Sequence, residues 1–341
     1  MSVITLPTAS SEEDVYVTVQ ALEGGHLTLP EHLFVTNAEP GKKRTLPSLC
    51  FLIQHPSRSK NDSGRQTNIV FDLGLKRNLQ GYMPAMQTHI AARQPIHTTP
   101  DVADSLKAGN LDPARDVDYV ILSHVHWDHE GTPSDFERAT FVVGHGTLHL
   151  LENGAPPHYP KDLFDPQLLP RDRVWEFGAS PLPEAEFGPN REYIGEKAAV
   201  VRGKQWKPLQ SASGGTIFPA VIDVFDDGSM YLIDSPGHLF GHMNLLARVG
   251  ATKWIYLGGD CCHDPRILTG EKGIALYDDG TGTGHLRSVH VNTAIARATL
   301  GRIQHLLESD TGTVDIECVV AHDGDWRENN LHRFFSHNQK S

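Results

Sequence analysis

Residues Leu122 to Gly131 read LSHVHWDHEG, and His124, His126, Asp128 and His129 crowd four metal-type donors into that one stretch. The residues just before it, Val117 to Ser123 (VDYVILS), are apolar and β-branched, the pattern of a buried strand. The donors therefore stand where a strand leaves its sheet. On an extended segment His124 and His126, two positions apart, project to the same side, and Asp128 and His129 follow as the chain turns. One pair can hold one metal ion and the next pair a neighbouring one. A lone His-x-His is commonplace in surface loops, so the reading depends on whether the rest of a coordination sphere exists.

Three more strand-like runs end on donors of the same kind. MYLIDSPGHLFGH, residues 230 to 242, passes through a Pro-Gly turn to His238; WIYLGGD ends on Asp260; IECVVAHD reaches His322. Twenty histidines are an excess for a chain of 341 residues, and imidazole is the commonest metal ligand at neutral pH. The four cysteines include no C-x-x-C spacing, so a cysteine-based zinc knuckle and a disulfide framework are both disfavoured.

The ordered set HxHxDH, PGH, GGD and AHD resembles the metallo-β-lactamase superfamily from about Leu49 to Asp323. IVFDLG, residues 69 to 74, matches an early strand whose Asp-x-Gly turn lies beneath the metal site in that family. The resemblance implies an α/β fold, the αββα sandwich. It implies one metal on His124, His126 and His238, a second on Asp128, His129 and His322, and Asp260 bridging them. Nitrogen and carboxylate ligands without thiolate suit two Zn2+, with Fe or Mn chemically possible. A water shared by two such ions ionises near neutral pH and attacks a polarised carbonyl, and Asp128 or Asp260 would pass its proton to the leaving group.

Within the superfamily, PGHLFGH, AHD and the interval from His238 to Asp260 look like the lactonase branch related to acyl-homoserine lactonases. The expected activity is that of a binuclear metal-dependent hydrolase opening a small-molecule lactone or lactam. His263 stands three positions after Asp260, where those lactonases carry a tyrosine against the substrate carbonyl. It is a candidate for polarising the carbonyl or protonating the leaving group, with an exposed loop histidine as the alternative. His242 reads as a structural histidine, Asp72 as a turn residue supporting the ligands, His145 and His149 as surface or packing residues, and Trp127 as pocket wall or core. Thioester hydrolysis of the glyoxalase II or acyl-carrier kind is the second reading, and an iron-dependent oxidoreductase on the same fold the third. The C-terminal stretch WRENNLHRFFSHNQKS lacks the strong basic cluster a carrier would call for, and the full ligand set favours hydrolysis.

Acidic residues outnumber basic ones by 42 to 30, so a surface tracking nucleic-acid phosphates is not expected. No apolar run is long enough to span a membrane, and the N-terminus lacks a signal-peptide pattern, so the expectation is a cytoplasmic protein. Nothing in the sequence indicates an oligomeric state. One domain is expected over residues 13–336, with loose ends outside it. Helices are expected over Pro100 to Leu106, His145 to Leu151 and from an Asn292 or Thr293 cap to about Ser309. Residues 153–215, rich in proline and aromatic side chains without clear periodicity, are expected to be an inserted cap folded over the site.

Overall fold

In the strand Cys50–His55, Phe51 and Ile53 enter one core while Cys50 and Leu52 enter another, so both faces are buried. Tyr231, Leu232 and Ile233 alternate in the same way. Side chains of a strand point alternately to its two faces, and a chain apolar at every position of such strands must sandwich its sheets between further layers. The computed structural model, which describes residues 4–6, 14–56, 65–181, 204–211, 214–280, 282–309 and 314–335, has that arrangement.

One mixed sheet runs in the order Ile4–Thr5, Lys207–Gln210, Thr216–Asp223, Met230–Asp234, Met243–Arg248, Lys253–Leu257, Asp315–Val319. The other runs Thr18–Leu22, Cys50–His55, Thr67–Phe71, Tyr119–Ile121, Thr140–Val143, Val174–Glu176. Ile53, Phe71, Ile121, Leu232, Leu245 and Leu257 fill the space between the sheets. Outside the first sheet, Ala296, Leu300, Ile303 and Leu306 of the helix Thr293–Ser309 pack on Ile233, Leu246 and Tyr256. Outside the second, Val102 and Leu106 of the helix Val102–Ala108 and Leu150 of Thr147–Asn153 pack on Leu52, Val120 and Phe141. The architecture is the expected αββα sandwich.

Asn292 caps the long helix, accepting from the Ile295 N–H at 3.1 Å. The helix expected from Pro100 begins at Val102 because Asp101 and Asp104 form a reciprocal capping box, which leaves Pro100 ahead of the cap. The helix expected from His145 begins at Thr147. Ahead of residue 13, Ile4–Thr5 pairs in parallel with Leu209 and Gln210 and Leu6 is buried; a two-residue strand has too few positions to show a pattern. The segment 153–215 is not wholly a cap. Val174–Glu176 is the edge strand beside Thr140–Val143, and Lys207–Gln210 pairs with Thr216–Asp223. Pro208 sits at a register shift of that pairing, where its missing N–H is tolerated, and this hides the strand from periodicity. Residues 182–203 and 212–213 of the expected cap lie outside the described residues.

The two sheets are joined where the strands end. Met243 N–H donates to the Ser123 carbonyl at 2.8 Å, and Leu49 N–H to the Ala321 carbonyl at 2.9 Å. Beneath this edge the backbone crosses itself closely: a Cβ on Gly74, whose φ is +67°, would fall 2.2 Å from the Gly24 carbonyl oxygen, and one on Gly24 would fall 2.1 Å from the Ser48 carbonyl oxygen. Gly74→Ala therefore meets both a left-handed backbone and a backbone clash, and should destabilise the fold by at least about 1 kcal/mol. The midpoint of urea unfolding measures it, and an unchanged midpoint would show that this crossing has slack.

Candidate metal centre

Four strand ends deliver their donors to one point on that edge. His124, His126, His238 and Asp260 have ligand atoms within 4.8 Å of one another, as do Asp128, His129 and His322. Asp260 lies between the two sets. Its Oδ2 is 3.6 Å from His124 Nε2 and 3.4 Å from His238 Nε2, while its Oδ1 is 3.3 Å from both His129 Nε2 and His322 Nε2. Asp128 Oδ2 approaches His322 Nε2 at 3.5 Å. All seven residues are buried.

The far side of each ring fixes which nitrogen faces inward. Ser123 Oγ donates to Asp72 Oδ2 at 2.7 Å, so His124 Nδ1, 3.0 Å away, is the donor to that hydroxyl, and its Nε2 is left bare. His129 Nδ1 donates to Asp72 Oδ2 at 2.9 Å, and His322 Nδ1 to the Pro47 carbonyl at 2.8 Å. Asp72 also accepts the Ser123 N–H at 2.6 Å, which stabilises its left-handed backbone, φ 62°. Ser48 Oγ fixes the Asp128 carbonyl at 2.5 Å. His242 has the structural place expected of it: Nδ1 donates to the Ser235 carbonyl at 3.0 Å and Nε2 accepts the Asp260 N–H at 3.1 Å, setting that carboxylate from behind.

The inward-facing atoms suit cations better than one another. His126 Nδ1 is 3.0 Å from His124 Nε2 and 2.9 Å from His238 Nε2, a convergence of imidazole nitrogens. His129 Nε2, His322 Nε2 and Asp260 Oδ1 are buried and make no hydrogen bond. Unsatisfied buried polar atoms are costly, and three aimed at one point fit a bound ion. Burial holds His124 and His238 well below the usual imidazole range and brings His126 down to about 3, leaving neutral rings with lone pairs to offer. Burial also opposes charge on His129 and His322, but Asp260, helped by Asp72 or Asp128, outweighs it and raises both. Burial would raise Asp260, yet His263, His129 and His322 overcome that and hold it well below the carboxylate range.

Two further histidines adjoin the set. His263, the candidate for carbonyl polarisation, is not an exposed loop residue: it is buried, with Nε2 3.1 Å from Asp260 Oδ2. His290 was not singled out by the sequence, yet its Nδ1 lies 3.1 Å from His238 Nδ1. It follows no apolar strand run, and only its place before the long helix sets it apart. His145 and His149 lie away from the donors, beside Phe177 and Asn153 respectively.

The set opens into a cavity of about 420 Å3 lined by His126, Asp128, His238, Asp260 and His263 and walled by Leu29, Phe34, Met86, Trp127 and Tyr159. Trp127 is thus both wall and core, 6% exposed. Of the expected cap, His158, Tyr159, Leu163 and Phe164 border this space. The Tyr159 hydroxyl donates to the Val289 carbonyl at 2.5 Å, and its ring packs 4.7 Å from that of His126. No helix among the described residues is long and apolar enough to cross a membrane.

Known proteins share this fold. The chain is 33% identical over 199 residues to the gamma-lactamase MBL2 of Gibberella moniliformis, a match covering 57% of this chain and 70% of that protein. It is 28% identical over 334 residues, 94% of its length, to the cytochrome P450 monooxygenase mpaDE' of Penicillium brevicompactum. It spans about a third of the length of the mpaDE-type relatives it matches, 34% in that case. A crystal structure of a quorum-quenching N-acyl homoserine lactone lactonase superposes with a TM-score of 0.58 at 15% identity, covering 93% of this chain and 95% of that one. No family model matches the chain. The chain belongs to the metallo-β-lactamase superfamily.

Because Asp72 orients His129, Asp72→Asn, which keeps a side chain tolerant of the left-handed turn but removes the charge, should weaken metal binding by about tenfold or more. Competition with a chromogenic chelator measures it, and undiminished affinity would remove the positioning role.

Proposed function

We propose that the protein is a binuclear metal-dependent hydrolase that opens a cyclic ester or amide, a lactone or a lactam. The carrying observation is the division of Asp260, one oxygen turned to each histidine set. In this reading His124, His126 and His238 would hold one zinc ion and Asp128, His129 and His322 the other, with Asp260 as a ligand available to both. The lactonase and lactamase names of the relatives support the choice of a ring carbonyl. When bound, such a pair supplies a water ionised near neutral pH and positive charge for the developing oxyanion.

The chain's own groups do the rest. Trp127, Tyr159 and the apolar wall exclude bulk water and seat the ring with its carbonyl towards the donors. The attacking water forms a bond to the carbonyl carbon, the ring C–O or C–N bond breaks, and one water proton moves to the leaving oxygen or nitrogen. Asp128 lines the cavity and is the group placed to carry that proton, with Asp260 next to it. His263, beside Asp260 Oδ2 and facing the cavity, donates a hydrogen bond to the carbonyl or the leaving atom. The products are a carboxylate and an alcohol or amine.

Protein purified without added metal should carry two zinc ions per chain by elemental analysis and should open γ-lactones or fused-ring lactams. Chelation should abolish turnover and added zinc restore it. Asp260→Asn should reduce kcat/KM by more than the about 10- to 100-fold typical of residues that only support a ligand. Full activity in that variant, or a metal-free protein without ring opening, would refute the proposal. His263→Ala should lower kcat while leaving metal content unchanged; metal loss in that variant would make His263 a ligand instead.

A further inference from the structure

Two arginines line the cavity with no acid paired to either among the described residues. Arg93 follows the helix Pro84–Ala91, and Arg287 belongs to the short hairpin of Tyr277–Asp278 and Leu286–Arg287. Among the described residues Arg93 makes no ion pair and no side-chain hydrogen bond. Arg287 reaches the His158 carbonyl at 3.4 Å and His158 Nδ1 at 3.5 Å, lies 5.6 Å from the Tyr277 ring centre, and leaves its buried Nε without a hydrogen bond. Elsewhere arginine is habitually paired, as in Arg77–Asp101, Arg248–Asp14, Arg266–Asp264, Arg327–Glu23 and Arg333–Glu317. In a chain with 42 acids and 30 basic residues, two half-buried guanidiniums left without one in the same cavity are a specific feature.

The two charges are not neutralised by their surroundings. Tyr277 lies within electrostatic reach of both, and the acid that acts on Arg93 is Asp128, which belongs to the proposed metal set. His89, on the helix before Arg93, is brought down to about 4 by burial and by Arg93 itself, so it is a neutral neighbour. Burial and Arg287 likewise lower His158. A guanidinium withdrawn from water presents five donors in a planar fork that matches a carboxylate in two parallel hydrogen bonds. Leu29, Phe34, Met86 and Val289 give the same cavity apolar walls, and its volume of about 420 Å3 suits a small molecule.

Building on the proposed ring opening, we propose that the substrate is an anion: a lactone or lactam whose ring carbonyl meets the metal set while a separate carboxylate is held by Arg93 and Arg287. The arginines select and position the substrate and take no part in bond breaking.

The test compares paraconic acid, a γ-lactone carrying a free carboxylate, with its methyl ester on the metal-loaded wild type, Arg93→Met and Arg287→Met. The acid should be preferred by about tenfold or more in kcat/KM, mainly through KM, and each variant should lose most of that preference. Added salt should raise KM for the acid more than for the ester. Equal use of both compounds, or a preference that survives both substitutions, would overturn the inference. Calorimetric titration with benzoate and methyl benzoate gives a readout independent of turnover. Benzoate should bind more tightly than its ester, and its affinity should fall about tenfold or more in the double variant. Benzoate binding that survives the double variant overturns the inference. Arginine-dependent benzoate binding without opening of either lactone would refute the proposed reaction and leave the anion site standing.

Discussion

A carboxylate taken almost entirely out of water, Asp260 at 1% exposure, with imidazole nitrogens converging on both of its oxygens, is the constraint around which this protein is arranged. Such a group is expensive to bury without partners, and imidazoles held 3 Å apart offer lone pairs that have nothing to bind but one another. Cations relieve both difficulties at once. The surrounding fold then has one task that ordinary packing does not set, which is to hold several mutually unfavourable groups in place.

The frame meets it by anchoring each group from behind. His124 and His129 are tied through Ser123 and Asp72, His322 to the Pro47 carbonyl, and the Asp260 backbone to His242. His290 stands behind His238. These anchors come from both sheets, so the centre is only as rigid as the seam between them. The seam depends on the Met243–Ser123 and Leu49–Ala321 hydrogen bonds and on the Gly24–Gly74 crossing. Fold and site share one set of interactions.

This sharing explains what the sequence makes legible. His124 through His129, His238, Asp260 and His322 stand at the ends of buried strands, so apolar runs and donors announce one another, and the layered architecture follows. His290 carries no such flank, since its place is fixed by the turn into the long helix. The hairpin His26–Pro30 with Lys43–Pro47 is hard to read because its five-residue strands carry only Leu27, Leu29 and Leu46 as large apolar residues, and the helix Pro84–Ala91 is too short and too weakly patterned to stand out. In 153–215 Pro208 masks the strand Lys207–Gln210, because proline is tolerated at a register shift, and Val174–Glu176 has only three residues in which to show a pattern. Arg93 and Arg287 are single residues far apart in the chain, and only folding shows that they line one cavity with no acid paired to either among the described residues.

In the proposed centre Asp260 stands between two ions. Diffraction from crystals of the zinc-loaded protein on either side of the zinc absorption edge would test it directly. Two anomalous peaks are expected about 3.5–4 Å apart, one on each side of the Asp260 carboxylate. The first would lie against His124, His126 and His238, and the second against Asp128, His129 and His322. A single peak, or one held by His263 and His290 away from Asp260 Oδ1, would contradict it.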